Sequence, residues 1–147
     1  MRPLPTLLVT AVLLATAAAL PAQAAPTGSA EAQVRTVVER YLHGLRFNDI
    51  RDFEAAFWPD ARLYFVKKDG SIGQLTQPEW YRMFAGSAGK EEEGTLSILT
   101  VDVTGNAASV KVIETYPTSI YVDYLNLLQL GGEWRIVNKI YTSRAVH

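Results

Sequence analysis

The residue with most chemical potential in this 147-residue chain is an aspartate on an otherwise apolar strand. Asp123 stands in the run YVDYLNLLQL, at every-other-residue spacing with Leu125 and Leu127. That period puts all three on one face of a sheet. Glu114, on the strand before it, is a second carboxylate that register can bring alongside. Two carboxylates a strand apart and partly desolvated cannot both ionise easily. The one that keeps its proton can do acid/base work or donate a hydrogen bond to a ligand oxygen. Asp123 reads as a pocket residue. Glu114 reads first as a carboxylate paired with Arg or Lys, or lying near a wet sheet edge, with the pocket role as the alternative.

Hairpin turns set which side chains share a face. A two-residue turn at Gly131-Gly132 pairs Leu130 with Glu133, Leu127 with Ile136, Leu125 with Asn138 and Asp123 with Ile140. One surface then carries Tyr121, Asp123, Leu125, Leu127, Trp134, Ile136, Asn138 and Ile140. The other carries Tyr124, Asn126, Leu128, Arg135, Val137, Lys139 and Tyr141. A four-residue link at Pro117 pairs Tyr116 with Tyr121 and sets Glu114 beside Asp123. The expected pocket has an apolar floor and a polar end made of Glu114, Tyr116, Tyr121, Asp123 and Asn138.

The elements that position these residues are legible in order. Ser29 can cap a helix starting near Ala30, with Glu31 in its first turn. Val34, Val37, Val38, Tyr41, Leu42 and Leu45 follow the spacing of one helix face, so Tyr41 points inward. A short second helix carries Ile50, Phe53, Ala56 and Phe57 inward and ends at Pro59. Arg62 to Lys67 is a strand, Asp69-Gly70 a turn and Ser71 to Leu75 a return strand. Thr76-Gln77-Pro78-Glu79 is a capping box opening a third helix, whose bulky face is Trp80, Tyr81, Met83 and Phe84. The run Lys90 to Glu93 is expected to be a solvated, mobile loop. Four antiparallel strands follow. Helices segregated from an antiparallel meander define an α+β domain.

The N-terminus reads separately. Arg2, an uncharged apolar run from Leu7 to Leu20, and Ala22-Gln23-Ala24 form a secretory signal peptide over residues 1–24, cut after Ala24. The run is too short for a stable membrane span. Residues 25–29 are a flexible tether, and 30–147 form one domain. Cleavage moves the formal charge from −1 to −2, with no basic stripe to favour nucleic acid. The chain has no cysteine and two histidines, His43 and His147, without ligand spacing. No metal, cofactor, Cys-His or Ser-His-Asp arrangement is therefore expected. The apolar second sheet face suggests a homodimer interface. Trp58, Trp80 and Trp134 read as core, with Trp80 and Tyr81 the exceptions that could line a cavity mouth.

The segments VVERYLHGLRFND, FEAAFWPDARL and GGEWRIVNKIY resemble the NTF2-like superfamily across the whole mature domain. Phe57-Trp58-Pro59-Asp60-Ala61, Thr115-Tyr116-Pro117 and Asp123-Tyr124-Leu125-Asn126-Leu127-Leu128 are closest to its "putative lumazine-binding" and SnoaL-like group. The resemblance implies a cone: three N-terminal helices packed on a curved antiparallel sheet around a central pocket. Ketosteroid isomerases share this fold. Against them, Tyr41 falls where an oxyanion-binding tyrosine sits, and Asp123 where a protonated oxyanion-binding aspartate sits. Phe65 falls where their general base would be, and a phenylalanine cannot abstract a proton. SnoaL-like cyclases imply a strand aspartate, for which Asp123 is the candidate.

Three functions follow as expectations. The leading one is an exported domain, secreted or periplasmic, binding a small, partly aromatic or apolar molecule through Tyr41, Trp80, Glu114, Tyr116, Tyr121, Asp123 and Asn138. The second is an acid/base isomerase, cyclase or dehydratase centred on Asp123 with Tyr41. The third is a self-association or partner-binding module without a ligand.

Overall fold

The computed structural model describes residues 28–146. The expected signal peptide, and the tether as far as residue 27, lie outside the described residues. The first helix, α1 (Ala30–Phe47), begins where the Ser29 hydroxyl accepts a hydrogen bond from the Ala32 amide. It buries Val34, Val38, Tyr41 and Leu45, as its spacing predicts. It ends at Asn48, whose backbone takes the left-handed conformation at φ 53°. Asp49 caps α2 (Ile50–Ala56), which buries Phe53 and Ala56. Gly44 lets the two helices close: a Cβ there would lie 2.6 Å from the Phe53 ring.

The sheet has six strands: β1 (Phe57–Val66), β2 (Ile72–Thr76), β3 (Thr95–Thr104), β4 (Ala107–Thr115), β5 (Ser119–Leu130) and β6 (Glu133–Ala145). Their spatial order is β2-β1-β6-β5-β4-β3. All neighbours are antiparallel except β1 and β6, which run parallel. The sheet is thus mixed rather than antiparallel throughout, because β1 arrives from the helices and lies beside the C-terminal strand. The helical layer also differs from expectation. Two helices precede the sheet. The third, α3 (Gln77–Tyr81), is one five-residue turn between β2 and β3, opened by the Thr76/Glu79 capping box. Its bulky stretch stops early, leaving Met83 exposed.

Two irregularities shape the inner face. Asn126 pairs with Asn138, but Leu127 pairs with Ile136, so Val137 is an extra residue in β6. A bulge of this kind bends and twists its strand. Beyond it every β6 side chain changes face. Lys139 and Tyr141 turn inward, and Asn138 and Ile140 turn outward. The Pro117 link also differs. It is a two-residue turn, closed by the Tyr116 amide donating to the Ser119 carbonyl at 2.8 Å. Glu114 therefore pairs with Tyr121, and Val112 with Asp123. The shift is by two residues, so Glu114 and Asp123 keep a common face and become diagonal neighbours. The core beneath α1 is Leu63, Val110, Val112, Leu125, Leu127, Trp134 and Ile136, all buried.

The acidic run after α3 is exposed but tied down. The Glu92 amide donates to the Arg46 carbonyl at 2.7 Å, and the Gly89 amide to that of Phe47 at 2.9 Å. The Asn48 side-chain amide donates to the Lys90 carbonyl and to Glu92 Oε1. The two backbone bonds satisfy carbonyls that the end of α1 leaves free.

Candidate functional site

Four ionisable side chains meet where α1 crosses the inner face of β4, β5 and β6. Tyr41 and Asp123 have no exposed surface; Glu114 and Lys139 are 3% and 4% exposed. The Tyr41 hydroxyl lies 2.5 Å from Asp123 Oδ2 and 3.1 Å from Glu114 Oε1. Lys139 Nζ donates to Asp123 Oδ2 and to the Tyr41 oxygen, each at 2.7 Å. It stands 3.9 Å from Glu114 Oε1. The rings of Tyr41, Trp80 and Tyr141 surround the ammonium, with centroids 5.2, 5.4 and 4.9 Å away, close enough for cation–π attraction.

Proton accounting assigns the roles. The phenol of Tyr41 has one hydrogen, and the shorter contact gives it to Asp123. Asp123 Oδ2 thus accepts from both Tyr41 and Lys139. That oxygen is an acceptor here. The same hydroxyl makes its longer, weaker contact as a donor to Glu114 Oε1, while its oxygen accepts from Lys139. Burial pushes Glu114 up to about 8; attraction to Lys139 opposes the rise and repulsion from Asp123 adds to it. Near neutrality Glu114 therefore holds a proton. Burial, then the two carboxylates, push Tyr41 well above the ordinary phenol range. Burial disfavours the charge on Lys139, but Asp123 and Glu114 outweigh it and hold its pKa above the usual lysine value.

Above this cluster opens a cavity of about 540 Å³. Trp80, Phe84, Tyr116, Tyr121 and Tyr141 bring aromatic rings to its lining. Glu92 and Glu93 stand at its rim, and Glu114 reaches it from below. Glu114 is the link between cavity and cluster: Oε1 faces Tyr41 and Lys139, while Oε2 accepts from the Tyr116 hydroxyl at 3.2 Å. Tyr116 and Tyr121 meet edge to face at 6.0 Å, a favourable aromatic arrangement.

Of the seven site residues expected from sequence, Trp80, Glu114, Tyr116 and Tyr121 line the cavity. Tyr41 and Asp123 lie beneath it, bonded to each other instead of converging on an open point. Asn138 is excluded. The bulge at Val137 turns it to the outer face, where its side-chain oxygen accepts from Asn126 at 2.8 Å. Lys139 takes the inward place and is the residue that sequence reasoning missed. One signal could have found it. A buried carboxylate requires a cation, and Lys139 is the only Lys or Arg between Arg135 and Arg144 on β6. Phe65 sits on the inner face against Tyr141, its ring 5.3 Å away. Among the described residues, no three His, Cys, Asp or Glu side chains gather as a metal site.

The chain belongs to the family described as "Putative lumazine-binding", whose model matches residues 29–142. It lies within the NTF2-like superfamily. Solved structures agree. An NTF2-like protein of unknown function from Silicibacter pomeroyi DSS-3 is 26% identical, with a TM-score of 0.68 over 77% of this chain and 94% of that one. One from Shewanella baltica OS155 is 23% identical, with a TM-score of 0.70 over 77% and 92%. A structure titled putative ketosteroid isomerase, from Shewanella frigidimarina NCIMB 400, is 15% identical, with a TM-score of 0.58 over 75% and 94%; it shares the fold alone. A search of the curated proteins found no match.

Proposed function

We propose that this domain binds a small, partly aromatic molecule in the cavity between Trp80 and Tyr121. The observation that carries the reading is the cavity itself: about 540 Å³, walled by aromatic rings, with a buried carboxyl in its floor. Such concave, ring-lined spaces with few polar groups are the usual form of a ligand site. The family description, which names lumazine, supports a planar heterocycle as a starting ligand. Thermal-shift and native mass spectrometry against a panel of planar metabolites that includes lumazine test it. Stabilisation and a bound mass are expected. A panel without either result counts against the cavity as a ligand site.

A second reading, acid/base chemistry, is favoured by one observation: Glu114 lines the cavity, and burial pushes its carboxyl up to about 8. In that reading Glu114 exchanges the proton, and Asp123 and Tyr41 act from below as its hydrogen-bonded support. A rate that follows the titration of Glu114 and vanishes in Glu114→Gln is the expected sign.

Export and pairing belong to the same proposal. The N-terminal sequence pattern supports cleavage after Ala24 and a secreted or periplasmic location; an exported protein whose mass begins at Ala25 tests it. Tyr124, Leu128 and Ile140 on the outer face, with Val66 and Ile72 at the β1–β2 edge, are exposed apolar residues that support a homodimer. Sedimentation should give a dimer that Ile140→Glu dissociates. Among the described residues, no helix is long and apolar enough to cross a membrane.

A further inference from the structure

We propose that the cavity selects a ligand carrying a positively charged amine on an aromatic or apolar body, with Glu114 as the counter-ion in its floor. The inference rests on the ligand-binding reading above and narrows it to a chemical class.

The first observation is how charge is divided in the cluster. Lys139 is the one buried cation beside two buried carboxyls, and it lies 2.7 Å from Asp123 but 3.9 Å from Glu114. Asp123 thus has a dedicated partner. Glu114 shares that ammonium only at the longer distance, although it is just 3% exposed. The groups facing it are Tyr41 from α1, Tyr116 on its own strand, Asp123 and Tyr121 from β5, and Lys139 and Tyr141 from β6. Glu92 and Glu93 stand above it at the rim. A cation of its own at close range is what this carboxyl lacks, and the cavity is the side from which one can arrive.

The second observation is the lining. Its residues include three glutamates and no lysine, arginine or histidine. An anionic ligand would find no counter-charge at the wall. The rings of Trp80, Tyr116, Tyr121 and Tyr141 present π-faces or edges to the same space, and π-faces attract cations. Carboxylates and rings therefore favour one sign of charge. The rings also supply the apolar surface that an uncharged portion of the ligand would cover. Glu93 forms no hydrogen bond or ion pair among the described residues, so one carboxylate of the lining is available to draw the amine inward.

A third consequence is a proton. Glu114 keeps its proton near neutrality, because its burial outweighs the attraction of Lys139. An ammonium beside it favours the ionised form. Amine binding at pH 7 should then release up to about one proton per ligand.

Three probes with the same ring separate charge from shape: tryptamine, the neutral indole-3-ethanol and the anionic indole-3-propionate. Titration calorimetry at pH 7, repeated in buffers of different ionisation enthalpy, gives both affinity and proton count. The expected result is that tryptamine binds roughly tenfold or more tightly than the other two, the worth of a charge-assisted contact, with net proton release. Glu114→Gln, which keeps hydrogen-bonding groups for Tyr41 and Tyr116, should erase both the preference and the release. The proton count in the unmodified protein stands whether or not the variant folds. If the alcohol or the acid binds as well as the amine, or no proton leaves, the cation assignment is overturned and the cavity reading survives. If none of the three binds, the cavity reading falls with it.

Discussion

Lys139 reaches Asp123 diagonally across the last hairpin. Asp123 stands opposite Tyr141, and Lys139 opposite Leu125, yet Nζ and Oδ2 are 2.7 Å apart. A diagonal pair of long and short side chains spans this distance naturally in an antiparallel ladder. It leaves the Tyr41 hydroxyl room to complete the triangle from α1.

That pair is fully desolvated, so removing one member should be severe. Lys139→Met is expected to cost about 3–5 kcal/mol, the typical penalty of an uncompensated buried charge. Asp123→Leu combined with Lys139→Met should cost clearly less than the sum of the two single changes. Chemical denaturation of the four proteins measures the coupling; additivity would show that the two side chains do not act as a pair.

Stability should depend on pH through Glu114. Its carboxyl is pushed up to about 8 from an ordinary 4.5, so the folded state binds more protons than the unfolded state between those values. Its contribution is fully present below the unfolded value and is lost as pH rises through the folded one. The effect is on the order of a few kcal/mol. Asp49, Asp69 and Glu79 are shifted the other way, and their contributions are lost only at more acid pH. Melting temperature should therefore fall from pH 5 to pH 8, and Glu114→Gln should flatten that slope.

Tyr41→Phe removes the donor to Asp123 and an acceptor for Lys139. A loss of about 1–3 kcal/mol is expected for leaving buried polar groups short of partners. The hydrogen bond from Tyr41 lowers the pKa of Glu114, so Glu114 in the variant should titrate at higher pH. Carbon-detected NMR of the glutamate carboxyl reads this directly. An unchanged midpoint would mean that Tyr41 and Glu114 are uncoupled.

Gly44→Ala tests the joint between α1 and α2. Alanine is the better helix former, but its Cβ would lie 2.6 Å from the Phe53 ring and 3.2 Å from the Asp49 carbonyl oxygen. Overpacking of this kind costs about 1–3 kcal/mol. Adding Phe53→Leu should recover part of the loss, a non-additivity measured by thermal unfolding.

The parts of the fold written in local chemistry were legible in the sequence. The stripe from Val34 to Leu45, the cap at Ser29, the Thr76/Glu79 box and the Gly131-Gly132 turn all depend on residues within a few positions of each other. The placement of Glu114 beside the cavity also survived a misjudged link at Pro117, because an error of two residues preserves the face. The bulge at Val137 was not legible. Ile136 and Val137 are both apolar, and either Ile140 or Tyr141 could continue the inner row, so the pattern fits both phases. The site built on that strand was therefore read with Asn138 where Lys139 lies. The parallel pairing of β1 with β6 was equally hidden, since it joins segments more than seventy residues apart and no turn connects them.

Val137 has a consequence for comparing this chain with its relatives. One residue gained or lost between Trp134 and Asn138 would exchange the inward side chains of the rest of β6 for their outward neighbours. A relative could thus keep a lysine in the same alignment column and present it to solvent, or lack one there and still bury the next. The ancestry of this ionic centre is better traced by the length of strand between the hairpin and the site than by the letter at position 139.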